Sequence, residues 1–114
     1  MKRATTLKEN YEFRRTYHKG QSGVSPLLVV YARPNRGKRN RLGVTVSAKL
    51  GKAVKRNRVR RRLREIFRLA QPELKQGYDV VLVARGRSVT ATYQELEKAF
   101  RRCCHKLALW EETP

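Results

Sequence analysis

Residues 53–68 read AVKRNRVRRRLREIFR, seven arginines and one lysine against a single acid, Glu65, with apolar side chains threaded between them. At about 100° per residue, Val59, Leu63, Ile66, Phe67 and Ala70 fall within one arc, and their spacing of three and four is that of a helix. Asn57, Arg60, Arg61, Arg64 and Arg68 fill the adjoining arc, with Arg58 and Arg62 beyond Glu65 and Arg56 near the apolar edge. Arg56, Arg60, Arg64 and Arg68 repeat every four residues. Each like-charge pair at that spacing costs a free helix ~0.2–0.5 kcal/mol, so three pairs cost about 1 kcal/mol together. A polyanion would remove that cost. A solvated basic face is the plain alternative, and the segment alone does not decide between them.

Working outward, the helix should stop before Pro72, since proline disfavours a helical residue ahead of it, and a short helical turn follows through Leu74. Gln76-Gly77 then turns into YDVVLVAR, residues 78–85, whose continuous apolar run predicts a strand buried on both faces. Thr92 and Glu95 form a capping box ahead of Leu96, Ala99, Phe100, Cys103 and Leu107 at helical spacing, which predicts a closing amphipathic helix.

On the N-terminal side, SPLLVVYAR ending at Arg33 reads as a strand. RLGVTVSA, residues 41–48, reads as the returning strand, with Leu42, Val44 and Val46 alternating against Gly43, Thr45 and Ser47. Pro34, Asn35 and Gly37 between them predict a hairpin with a basic tip, RPNRGKRNR. Thr6 and Glu9 have the form of another capping box, predicting a first helix from about Leu7 to His18 that ends at Gly20 and carries Phe13 and Tyr17 on one face.

The 114 residues suit one domain, and no repeat, low-complexity linker or boundary divides 1–114. Lysine and arginine number 28 against nine acids, a formal net charge of +19, which favours nucleic acid or an anionic membrane as partner. No apolar run approaches the ~20 residues of a spanning helix. The start, MKRATTLKENYEF, lacks the apolar core of a secretory signal, so a cytosolic protein is expected. Cys103 and Cys104 are adjacent, too close at ~3.8 Å between neighbouring Cα atoms for an ordinary disulfide, and at least one is expected to be a buried apolar residue.

Little here suits protein-borne catalysis. A nuclease commonly needs clustered carboxylates to hold metal or paired histidines to move protons. Asp79 is the sole aspartate, the glutamates are scattered, and His18 and His105 are far apart in sequence. GKAVKRNR lacks the spacing of a phosphate-cradling glycine loop. The chain reads as a binder. Single-stranded nucleic acid is held by basic grooves with aromatic platforms, which Phe13, Tyr17 and Tyr31 could supply, although their spacing also describes an ordinary core face.

The run SAKLGKAVKRNRVRRRLRE, residues 47–65, resembles the RNR signature of the bacterial ribonuclease P protein subunit. The likeness extends over nearly the whole chain, from the early helix with its Glu12-Phe13 pair to the closing helix. The resemblance implies an α/β (α+β) two-layer sandwich of the ribosomal-protein-like type: a four-stranded mixed sheet with three to four helices and a left-handed βαβ crossover around the arginine helix. It also implies that a catalytic RNA, using magnesium ions held mainly by that RNA and its substrate, removes the 5′ leader of precursor tRNA while the protein assists.

By the same resemblance, Lys52, Arg56, Asn57, Arg58, Arg60, Arg61, Arg64 and Arg68 would contact the catalytic RNA. Phe13, Tyr17 and Tyr31 would line a cleft for the single-stranded leader. Neither a membrane nor an obligate protein partner is implied. Ala48 stands where the family often has lysine, and Tyr17 where phenylalanine is frequent. The runner-up reading is a ribosomal or ribosome-assembly RNA-binding protein, and a metal-dependent nuclease acting alone comes third.

Overall fold

The computed structural model describes residues 5–111, so the outermost ends of the expected 1–114 domain lie outside the described residues. Five strands form one mixed sheet: β1 (Thr5–Thr6), β2 (Gln21–Val24), β3 (Leu28–Pro34), β4 (Arg41–Thr45) and β5 (Tyr78–Ala84), in the order β1-β4-β5-β3-β2. Three α-helices accompany them, α1 (Asn10–Lys19), α2 (Ala53–Ala70) and α3 (Tyr93–Lys106), with short 3-10 turns at Ala48–Leu50, Gln71–Glu73 and Gly86–Val89.

The arginine-rich segment is helical throughout, and Val59, Leu63, Ile66, Phe67 and Ala70 are all buried. Burying each large apolar side chain contributes roughly 1.5–3 kcal/mol. That stripe therefore outweighs the like-charge cost, and packing holds the arginines in register. α2 ends at Ala70, and the turn Gln71–Glu73 takes Pro72 in its first positions, as the sequence predicts. α3 starts on the expected capping box: Glu95 N–H donates to Thr92 Oγ1 at 3.1 Å and Thr92 N–H to Glu95 Oε1 at 2.8 Å.

β5 occupies the centre of the sheet, antiparallel to β3 on one side and parallel to β4 on the other. Here the sequence reading fails, because β3 and β4 are not a hairpin. The strand with the longest unbroken apolar run takes the position buried on both faces and separates them. The hairpin that does form joins β2 to β3, with Ser22 opposite Tyr31. Ser25 Oγ closes its turn by accepting from the N–H groups of Leu27 and Leu28.

The first helix also begins later than its sequence suggests. Thr6 pairs with Leu42 in a short parallel ladder, and Leu7 N–H donates to the Leu42 carbonyl at 2.8 Å, which keeps this stretch extended. The capping box is shifted by three residues: Glu9 is the N-cap and Glu12 reaches back to the Glu9 N–H at 3.1 Å. β1 and β2 bring the sheet to five strands instead of four.

Alternation along the strands sorts the faces. Leu28, Val30, Val80 and Leu82 join Leu63, Phe67, Leu96 and Phe100 in the main core beneath α2 and α3. Tyr31, Val81 and Gly43 are in register across the opposite face, where α1 lies. Helices thus cover both faces, and the two layers expected from the sequence become three where α1 sits. Cys103 and Cys104 are both free and fully buried within the main core.

Candidate nucleic-acid interface

Two structural features meet along the edge of β4. The first is α2, whose outward side carries the cations. Lys52, Asn57, Arg58, Arg61, Arg64 and Arg68 are exposed and Arg56 and Arg60 half-buried. Several are held by neighbours: Arg56 Nε donates to the Gly51 carbonyl at 3.1 Å, Arg60 Nη1 to Asn57 Oδ1 at 2.8 Å, and Arg68 Nη2 to Glu65 Oε1 at 2.5 Å. Arg58, Arg61 and Arg64 have no hydrogen-bond or ion-pair partner among the described residues. Arg62 is turned elsewhere, its Nη1 donating to the Ala91 carbonyl at 3.2 Å.

The second feature is a recess of about 630 Å³ between α1 and β4, lined by Asn10, Phe13, Arg14, Tyr17, Thr45 and, from α2, Arg60. Phe13 lies directly on Gly43, where an added Cβ would stand 2.4 Å from Phe13 Cε1, so glycine is what lets the ring reach the sheet. Tyr17 is fixed at both ends. Its hydroxyl is 3.0 Å from Thr45 Oγ1, and its ring meets Tyr31 edge-on with centroids 5.0 Å apart. All three rings are half-buried. Each keeps some surface in reach of a planar partner, and T-shaped contact leaves ring faces available for stacking.

A buried charge cluster holds α1 in place. Arg41 on β4 donates from Nε to Asp79 Oδ1 and from Nη2 to Asp79 Oδ2, both at 2.7 Å, and pairs through Nη1 with Glu12 on α1. Arg33 Nη1 stands 3.9 Å from Asp79 Oδ2, and Asn35 Nδ2 donates to Asp79 Oδ1 at 3.0 Å. Asp79 is 1% exposed and Glu12 9%. Hydrogen bonds from the Glu9 and Lys8 N–H groups, aided by Arg41, hold the Glu12 carboxyl below its usual range. The same two carboxylates push the Arg41 guanidinium up, chiefly through Asp79.

A family model described as Ribonuclease P matches residues 1–108. The chain belongs to the ribonuclease P protein family. It is 44% identical over 108 residues to the ribonuclease P protein component of Caldanaerobacter subterraneus subsp. tengcongensis, covering 95% of this chain and 93% of that one. It is 43% identical to that of Alkaliphilus oremlandii, covering 96% of each. Among solved structures, a Staphylococcus aureus RNase P protein superposes with a TM-score of 0.87 at 30% identity, covering 96% of this chain and all of that chain. That of Thermotoga maritima gives 0.78 at 28%, covering 88% and 94%. These matches favour the ribonuclease P family over the ribosomal alternative.

For a ribonuclease P family chain, the placement of the expected residues is informative. Phe13 and Tyr17 of α1 line the recess together, and Tyr31 of β3 meets Tyr17 edge-on from outside the recess lining. Of the α2 arginines, Arg60 lines the aromatic recess, so the cationic helix borders it there. Sequence reasoning missed Gly43, Arg14 and the Glu12–Arg41–Asp79 cluster. The signal for the last was faint: one aspartate at the start of an otherwise apolar strand, which burial would make costly unless paired.

Proposed function

We propose that this chain is the protein component of ribonuclease P, binding the ribonuclease P RNA through the arginines of α2 and the 5′ leader of precursor tRNA in the recess between α1 and β4. The observation that carries this reading is the recess itself, where Arg60 of the basic helix stands beside Phe13 and Tyr17. A single strand needs that pairing: a ring for a base, worth ~1–3 kcal/mol per stacked base, and a guanidinium for the neighbouring phosphate. Arg58, Arg61 and Arg64, free to meet other anions, would dock the larger RNA, with Lys52, Arg56, Asn57 and Arg68 beside them.

Hydrolysis in this account belongs to the RNA. Held by that RNA and its substrate, magnesium ions would supply activation of a water and charge stabilisation at the leaving oxygen. This chain's own residues do not suit the ion: among the described residues no three His, Cys, Asp or Glu side chains are grouped to hold a metal. The buried carboxylates of Glu12 and Asp79 are already engaged by Arg41. The protein's part is to orient the leader and neutralise phosphates.

The same reading carries three further expectations. The β4–α2–β5 connection takes the family's left-handed crossover. The protein works in the cytoplasm, and it is consistent with this that no described helix is long and apolar enough to cross a membrane. It needs no obligate protein partner.

Reconstitution tests the proposal. Adding the purified chain to a ribonuclease P RNA at low magnesium should raise leader cleavage and precursor affinity, whereas the chain alone should leave precursor tRNA uncut. No gain on addition, or cutting by RNA-free protein, would overturn it.

A further inference from the structure

β1 covers β4 only at Arg41 and Leu42, so from Gly43 onward the outer edge of β4 has no strand beside it among the described residues. Opposite this edge runs the C-terminal half of α2, and between them lies a second groove of about 660 Å³. That size is within the roughly 300–1,000 Å³ of small-ligand sites. Leu42, Val44 and Phe67 give it apolar walls, Arg64 and Arg68 contribute cations, and Gln71 and Pro72 close one end. The other end is continuous with the aromatic recess, because Phe13 and Val44 line both.

Gln71 supplies an independent sign of a ligand. The residue is 2% exposed, and its Oε1 accepts from Asn40 Nδ2 at 3.2 Å and from Gln76 Nε2 at 2.9 Å, which fixes the orientation of the amide. Its Nε2 is left as a buried donor with no acceptor. Buried donors without partners are uncommon, and in a groove wall such a group is suited to a ligand carbonyl.

We propose that this groove is a second nucleotide subsite, which takes a base of single-stranded RNA against Leu42, Val44 and the exposed Leu69, with a base carbonyl accepting from Gln71 Nε2 and a phosphate on Arg64. The inference rests on the reading of the adjoining recess as a single-strand site and extends the strand's path along the open edge of β4. RNA is favoured as occupant because, among the described residues, the only charged side chains in the groove wall are Arg64 and Arg68, in a chain of net charge +19. Thr6 gives access for a test. It is exposed, and its register partner is Leu42, so its side chain stands on the side toward α2.

Binding of oligouridylates of about 4 and about 8 nucleotides to the full chain, a span within the roughly 4–16 nucleotides bound by comparable single-strand folds, decides the matter. Wild type should bind the longer oligomer at least about fivefold more tightly, as one added base contact implies. Thr6→Glu should abolish that gain, while Thr6→Gln and the charge control Val24→Glu, on a distant exposed side chain, should keep it. The Gln71 side-chain amide resonances should move with the longer oligomer and not with inorganic phosphate. A length gain that survives Thr6→Glu, an unmoved Gln71 amide, or an equal response to phosphate would overturn the subsite. Tyr17→Ala, in the recess and outside the groove wall, reports separately on the parent reading: if it leaves both lengths unaffected, the aromatic recess fails as a single-strand site, whereas movement of the Gln71 amide still reports on the groove.

Discussion

The Phe13 ring occupies the space a side chain at residue 43 would need: a Cβ built on Gly43 comes within 2.4 Å of Phe13 Cε1 and 2.6 Å of Cζ. The aromatic floor of the recess therefore depends on an absent side chain in β4. Gly43→Ala must displace the ring, and overpacking of this kind costs typically 1–3 kcal/mol. Urea denaturation should report a loss of that order, and the variant's affinity for leader-bearing precursor should fall more than its affinity for mature tRNA.

Phe13→Ala removes the ring without crowding the sheet. It should weaken precursor tRNA binding by ~1–3 kcal/mol, the value of one stacked base, and leave mature tRNA binding little changed. An equal loss for both substrates, measured by competition binding to the holoenzyme, would remove Phe13 from the leader path.

Arg60 and Arg61 should separate the two functions of α2. Arg60 lines the recess and Arg61 is exposed outside it. Arg61→Ala should weaken assembly with the RNA alone, and Arg60→Ala should weaken assembly and leader binding together. Arg64→Ala should weaken assembly and, because Arg64 also lines the second groove, binding of the longer oligouridylate. For every phosphate that a substitution leaves without its cation, the slope of log affinity against log salt should shrink by about 0.7–0.9.

The Glu12–Arg41–Asp79 cluster makes a pH prediction. The folded Glu12 carboxyl titrates below its unfolded value, so its contribution to stability is fully present above the ordinary carboxylate pKa of about 4.3. It is lost as pH falls from there through the folded value. Glu12→Gln should flatten that part of the stability curve measured by thermal melts. Arg41→Met, which leaves the Asp79 carboxylate buried without its main partner, should cost on the order of 3 kcal/mol at neutral pH.

Burial raises the thiol pKa of both Cys103 and Cys104, through desolvation above all. Thiolate is the reactive form, so both should resist iodoacetamide at neutral pH in the folded chain and react once it is unfolded, as peptide mass spectrometry would read.

Periodicity made the helices legible. The burial of Val59, Leu63, Ile66, Phe67 and Ala70 follows from spacing alone, and the Thr92–Glu95 box starts α3 where the sequence puts it. Strand order was not legible. Pro34-Asn35 and Gly37 mark a turn between two alternating runs, yet nothing local tells a hairpin from two strands separated by a third that arrives more than thirty residues later. The competition for the central position is decided by YDVVLVA, a long-range effect that turn chemistry cannot report. Similarly, Thr6-Leu7 reads as a helix start because its capping pattern is good, and only pairing with Leu42 makes it a strand. The aromatic recess was legible as residue types and not as a place: Gly43 and Arg60 join it through tertiary packing, which no spacing in the chain encodes.

The central claim is that the leader passes over Phe13 beside Arg60, and crosslinking tests it most directly. With 4-thiouridine in the leader of a precursor tRNA bound to the assembled particle, the account predicts crosslinks to peptides from α1 and β4 that contain Phe13, Tyr17 and Thr45. Crosslinks confined to α3 and the Trp110 region, with none from α1, would contradict it.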